Sequence, residues 1–299
     1  MRIVVAIGGN ALLRRGERPD AAPQREHVAV AAAALAGLAR QHEVVIVHGN
    51  GPQVGLLALE SAADPSLTAP YPLSDLVAES QGLIGLWLQQ AIRDEGIVDV
   101  VSLISQTVVD PADPAFQAPS KFIGQVYDDP TARRLATRHG WTVRPDHGGW
   151  RRVVPSPVPI GLVELPVVDR LLAAGVTVIV GGGGGVPVMR RDGRYVSVDA
   201  VIDKDRAASL AAVALDADLL LVLTDVDGVI RDFGTPAQKV LREVTVADLK
   251  ALSFPAGSMG PKVEAVCDFT LQTGRRSAIG SLDEVNAVLA RTAGTQVSP

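Results

Sequence analysis

The chain has 299 residues, 47% of them hydrophobic and 20% charged, enough to bury a sizeable core as one large α/β domain. A formal charge of −5 argues against nucleic acid and membrane surfaces as main partners, so an anionic substrate must be held by local cations. Cys267 is the only cysteine, which excludes an internal disulfide and a cysteine-built metal site and fits a reducing cytoplasm.

The first predicted strand, Ile3–Gly8, is too short for a signal peptide and ends at once in Gly8-Gly9-Asn10. A helix over Pro23–Arg40 and a strand over Glu43–His48 follow. That strand runs into His48-Gly49-Asn50-Gly51, and Pro52 opens a helix reaching Ala63. Proline loses no hydrogen bond in a first turn, and glycines before it let backbone N–H groups approach a ligand closely. A helix N-terminus carries free donors and partial positive charge, so two such glycine loops side by side suit a phosphorylated substrate.

A helix over Leu73–Arg93 and a strand over Val100–Val108 come next. From about Pro111 to Pro159 the rhythm breaks into Pro-, Gly-, Asp- and Arg-rich sequence, which predicts a small lobe inserted in one domain spanning 1–299. The alternation resumes with a helix near Glu164–Ala174 and a strand at Val176–Val180. Leu171 to Met189 is uncharged, but its glycine run and Pro187 exclude a membrane span. Val186–Val198 reads as a hairpin around Asp192-Gly193. Helices near Ala200–Leu215, Thr245–Leu252, Lys262–Gln272 and Leu282–Arg291 alternate with strands at Ala217–Thr224 and Arg276–Ile279. Near-continuous Val/Ile/Leu strands between helices indicate a mostly parallel sheet covered on both faces.

Gly181–Gly185 lacks the helix that a dinucleotide fingerprint requires, because Val186-Pro187-Val188 is extended; this argues against a nicotinamide-dependent oxidoreductase. Five glycines in a row still mean that backbone runs close to something, read here as a ligand touching Gly182 and Gly183. No Walker A string occurs.

Lysine usage is selective. Of 28 basic residues only Lys121, Lys204, Lys239, Lys250 and Lys262 are lysines. Lys239 and Lys250 lie among ordinary polar residues. Lys204 stands in Val201-Ile-Asp-Lys-Asp205, Lys262 in Gly257-Ser-Met-Gly-Pro-Lys262, and Lys121 in Ser120-Lys-Phe-Ile-Gly124. Phosphoryl transfer needs positioning and neutralisation of charge spread over several oxygens, which compact ammonium groups supply. Asp203 and Asp205 can orient those cations or help hold Mg²⁺, or can serve as first-turn acids of a helix. Thr224, Asp225, Asp227 and Gly228 end a buried strand, where α/β sheets bind ligands. Trp150-Arg151-Arg152 is open between a phosphate clamp and a packed hairpin edge; His48 and Cys267 read as structural.

In order along the chain, Gly8–Leu12, His48–Gly55, Arg151–Pro157, Gly181–Val188, Ala200–Asp205, Leu223–Asp227 and Gly257–Ala265 together resemble the signatures of carbamate kinases, within the amino acid kinase superfamily. The resemblance implies a three-layer αβα sandwich with a mostly parallel sheet and a small protruding subdomain, usually homodimeric. It implies reversible ATP formation from carbamoyl phosphate and ADP with Mg²⁺, as in fermentative arginine catabolism. Gly8, Gly9, Asn10, Gly49, Asn50 and Gly51 would then hold the carbamoyl phosphate end. Lys204 and Lys262 would stabilise the transferring group, Asp203 or Asp205 would organise them, and Lys121 would reach in from the lobe. Gly182, Gly183, Thr224, Asp225, Gly257, Ser258, Met259 and Gly260 would bound the nucleotide, with no metal ligand assigned. Phe122 and Val158 depart from the family's usual proline and lysine. The alternatives are a same-fold kinase for another small carboxylate such as acetylglutamate, or a non-catalytic nucleotide or carbamoyl-phosphate sensor.

Overall fold

A computed structural model describes residues 1–9, 12–13, 17–146, 148–254 and 259–299. Its centre is an eight-stranded sheet whose order, written by residues, is Glu243–Thr245, Thr295–Ser298, Ser277–Ser281, Leu219–Thr224, Arg2–Ile7, Glu43–His48, Thr177–Ile179 and Val100–Ser102. All neighbouring pairs run parallel except Ser277–Ser281 with Thr295–Ser298.

The alternation of strand side chains sends each strand into two cores. Ile3, Val5, Ile7, Val44, Ile46, Leu219, Leu221 and Leu223 pack on one face with the helices Ala21–Ala39, Leu73–Asp94 and Val285–Leu289. Val4, Ala6, Val45, Val47, Leu220 and Val222 pack on the other, with Leu165–Ala173, Lys204–Ala214, Val246–Lys250 and Met259–Thr273. The three-layer αβα sandwich therefore holds. Among the described residues no helix is long and apolar enough to cross a membrane.

Two expected elements divide differently. The run Val100–Val108 is not one strand: Val100–Ser102 ends the main sheet, whereas Gln106–Val109 joins a second sheet with Val186–Arg191, Arg194–Ser197 and Pro159–Leu162. The chain turns at Ser105, whose N–H and hydroxyl both donate to Gln81 Oε1 while its Oγ accepts from Gly181 N. Periodicity cannot see a break made by a buried side-chain amide on a distant helix. The helix expected from Ala200 starts only at Lys204, because Asp203 caps it by accepting from Asp205 N at 2.9 Å. Such a cap is worth about 1 kcal/mol. The hairpin around Asp192-Gly193 is present, with both turn residues at positive φ.

Between the two sheets' connections, Lys121–Tyr127, Gly149–Val154 and Thr142–Asp146 form a three-stranded antiparallel sheet carrying the helix Asp129–His139. Ile123 and Val154 of this sheet are buried with Val54, Ala58 and Val201, which seats it on the helix Gly51–Ala63.

Candidate active site

The loops that matter leave the same edge of the sheet, because their strands are parallel. Gly8 donates its N–H to Leu223 O and Gly49 donates to Ile7 O, so the first glycine loop lies between the Gly49 loop and the end of the Leu219–Thr224 strand. A Cβ on Gly49 would stand 2.9 Å from Gly9 N and 3.5 Å from Lys204 Cδ. The two loops thus touch backbone to backbone, with the stem of Lys204 beside them. Gly51 begins its helix exposed, and a Cβ there would meet nothing within 4 Å. Asn10, Gly257 and Ser258 lie outside the described residues.

Asn50 does not face outward. Its amide is buried and donates to Ser80 Oγ at 2.8 Å, and a Cβ on Gly183 would overlap that amide. Its backbone carbonyl accepts from Val54 N, starting the helix. His48 is fully buried; its Nδ1 donates to Gly49 O at 2.9 Å, and a Cβ on Gly182 would overlap its ring. Burial pushes the His48 imidazolium down to about 4, a shift the Gly49 carbonyl opposes and the Lys204 charge reinforces. The ring is neutral at physiological pH and structural.

These contacts locate the glycines expected to touch a ligand. Gly182 and Gly183 belong to the turn after Thr177–Ile179, which is separated from the Thr224 strand by the strands Arg2–Ile7 and Glu43–His48. They stand against His48 and Asn50, away from the end of the Thr224 strand. What the glycines make room for is protein: the His48 ring, the Asn50 amide, Ile202 and Thr107.

The lysines converge through two buried carboxylates. Asp205 Oδ1 accepts from Lys204 Nζ at 2.5 Å and its Oδ2 from Lys262 Nζ at 3.1 Å. Asp203 Oδ1 caps the helix, and its Oδ2 accepts from Lys121 Nζ at 2.7 Å. Burial would raise the Asp203 carboxyl, but Lys121, then Lys204 and the Asp205 N–H, outweigh it and hold it at about 2. Burial lowers the Lys204 ammonium; Asp205 opposes the shift and Lys262 adds to it. Three ammonium groups from three separate segments therefore meet around one helix start, the point where backbone donors also favour anions.

On the other side of the first glycine loop, Thr224 is buried and donates to the exposed Asp225 at 3.0 Å. Met259 and the buried Gly260 begin the helix that carries Lys262. Arg151 and Arg152 are committed within the protein: Arg151 donates to Gly124 O at 2.7 Å, and Arg152 lies over the Trp141 ring at 4.6 Å and reaches Asp199 at 3.4 Å. Cys267 is buried and its thiol is pushed up by burial. Ser80, Gln81 and Ser105, which sequence reasoning passed over, support the loops from behind.

A sequence model of the amino acid kinase family matches residues 1–281, and the chain belongs to that family. It is 45% identical to the carbamate kinase of Rhizobium meliloti (strain 1021), covering 100% of this chain and 93% of that one. It is 46% identical to the carbamate kinase of Pyrococcus horikoshii, covering 100% and 99%. The structure of carbamate kinase from Giardia lamblia bound to AMP-PNP superimposes with a TM-score of 0.92 at 38% identity, covering 99% and 98%. Within the amino acid kinases the chain belongs to the carbamate kinases, and it is an enzyme of the phosphotransferase class.

Proposed function

We propose that the chain catalyses reversible phosphoryl transfer between carbamoyl phosphate and ADP, giving ATP and carbamate. The observation that carries this reading is the Lys204–Asp205–Lys262 bridge beside the touching Gly9 and Gly49 loops. The phosphoryl group leaves the carbamate oxygen and is taken by a terminal oxygen of ADP. Charge builds on both oxygens and on the three equatorial ones, where Lys204 and Lys262 stand to neutralise it. Asp205 keeps the two ammonium groups together despite their repulsion, and Asp203 holds Lys121 beside them. Gly8, Gly9, Gly49 and Gly51 supply the acceptor surface, while Thr224, Asp225, Met259 and Gly260 bound the nucleotide. A coupled assay for ATP made from ADP and carbamoyl phosphate tests the reading; phosphorylation of acetylglutamate with no turnover of carbamoyl phosphate would sink it.

Mg²⁺ enters as part of the nucleotide substrate. Both oxygens of Asp203 and of Asp205 already accept from ammonium or backbone N–H donors, surroundings that repel a dication. Among the described residues no group of three or more His, Cys, Asp or Glu side chains is disposed to hold a metal. A magnesium ion carried by phosphates and water needs few protein ligands.

The acceptor side yields one expected result. Gly51→Ala adds a methyl that strikes no protein atom but projects at the helix start, so steady-state kinetics should show a raised KM for carbamoyl phosphate and an unchanged KM for ADP. Equal effects on both would remove Gly51 from the acceptor surface.

The chain works as a homodimer in this reading. Leu83 and Leu86, one turn apart on the helix Leu73–Asp94, are exposed together with Ile104 and Val98 beside the unpaired edge strand Val100–Ser102. A second copy, presenting the same apolar face, suits a two-fold contact. Light scattering should give about twice the 31.2 kDa chain mass, falling to one chain mass for Leu83→Glu/Leu86→Glu. A wild-type chain already at monomer mass ends this proposal.

A further inference from the structure

Gly55 and Arg151 sit in the signature motifs, and Gly124 three residues after Lys121, yet none touches a group assigned to the chemistry. Gly55 lies one turn beyond Gly51 on the helix Gly51–Ala63, buried against the small antiparallel sheet. A Cβ there would stand 3.1 Å from Gly124 Cα and 3.2 Å from Gly124 N. The obstruction is backbone, so no side chain can swing away to relieve it.

Gly124 is held from the other direction as well. It has a φ of +71°, which favours glycine, at the bulge where the pairing of Lys121–Tyr127 with Gly149–Val154 shifts register between Ile123 and Val126. Its carbonyl accepts from Arg151 Nε at 2.7 Å, and Asp146 holds the same guanidinium at 3.2 Å. Three residues earlier on this strand stands Lys121, whose Nζ reaches Asp203 at 2.7 Å. Ile123, between them, is buried with Val54 and Ala58 of the helix.

We propose that the Gly55–Gly124 backbone contact, locked by Arg151, is a positioning device that fixes the reach of Lys121 relative to the Gly49–Gly51 loop. The helix that begins at Gly51 also sets, one turn on, the height of the strand that delivers Lys121. Gly55, Gly124 and Arg151 are positioning residues, acting through Lys121. Bulges often re-aim a side chain beside an active site, and this one has a defined target. The inference rests on the reading above in which Lys121 acts on the transferring group.

The test is a double-mutant cycle on the full chain, with melting curves as a control. Gly55→Ala must displace Gly124 by a few tenths of an ångström. It should lower kcat roughly 3- to 10-fold, since small misplacements of a reacting group are costly, while leaving KM for ADP unchanged. Arg151→Gln, which removes the lock without touching the helix, should act in the same direction. In a Lys121→Ala background either change should cost less than about 2-fold, because the group being positioned is gone. Equal losses in both backgrounds, or no loss in either single variant, would overturn the positioning role while leaving that of Lys121 standing. Wild-type turnover in Lys121→Ala itself would remove the Lys121 reading and this inference together.

Discussion

Lys204→Ala is expected to lower kcat by roughly 10²-fold or more, with Lys262→Ala close behind, while KM for ADP stays near its wild-type value. Both lysines share one buried carboxylate as their direct ion-pair partner, while Asp203 adds a longer-range attraction on Lys204. Removing one leaves the other and Asp205 as an ordinary ion pair, so the fold should survive. What disappears is charge next to the glycine loops, where a loose transition state spreads its negative charge over several oxygens. Lys204 also carries the larger effect because its stem passes the Gly49 loop and its charge is the one felt by His48. Lys204→Arg should rescue little, since a planar guanidinium cannot occupy the space of a compact ammonium held at 2.5 Å from Asp205. Steady-state kinetics on variants with unchanged melting temperatures decide the matter. Near-wild-type turnover in either alanine variant removes that lysine from the mechanism.

The convergence of these lysines was legible in the sequence from a scarcity: in a chain that uses arginine for its generic surface cations, the three lysines kept beside glycine or aspartate meet in space. The parallel sheet was legible for a similar reason, because strands buried on both faces must be apolar throughout, as Ile3–Ile7 and Leu219–Leu223 are. The glycine run Gly181–Gly185 was legible as a close approach and misread as to its partner. Sequence cannot say whether the neighbour of a glycine is a ligand or another part of the chain; here the neighbours are His48 and Asn50, more than 130 residues away. The break at Ser105 was invisible for the same cause, being set by Gln81 on a different helix. Asp203 had been open between a helix cap and an organiser of cations. Its two oxygens do one task each.

Asp205→Asn should separate catalysis from stability by giving them opposite pH dependences. In the native protein Asp205 is the main group that opposes the downward push of burial on the Lys204 ammonium, with Asp203 adding to it. An amide keeps the shape but removes that opposition, so Lys204 must fall further below its ordinary value of 10.5. The charged lysine is the active form, and it is lost as pH rises through the lowered value. Turnover should therefore drop most at the alkaline end, by roughly 10²-fold, and recover in part as the assay pH is lowered. Stability should move the other way. Between the lowered folded value and 10.5 the unfolded chain binds more protons than the folded one, so the variant gains stability as pH rises through that window. Two largely covered ammonium groups without their shared counter-charge also cost about 3 kcal/mol near neutral pH, a large share of a typical domain's stability. Melting temperatures and kcat measured on the same samples across pH 6–10 should thus cross, the first rising and the second falling. If the two instead decline together with rising pH, Asp205 supports the fold alone and the ammonium pair is not what it holds for catalysis.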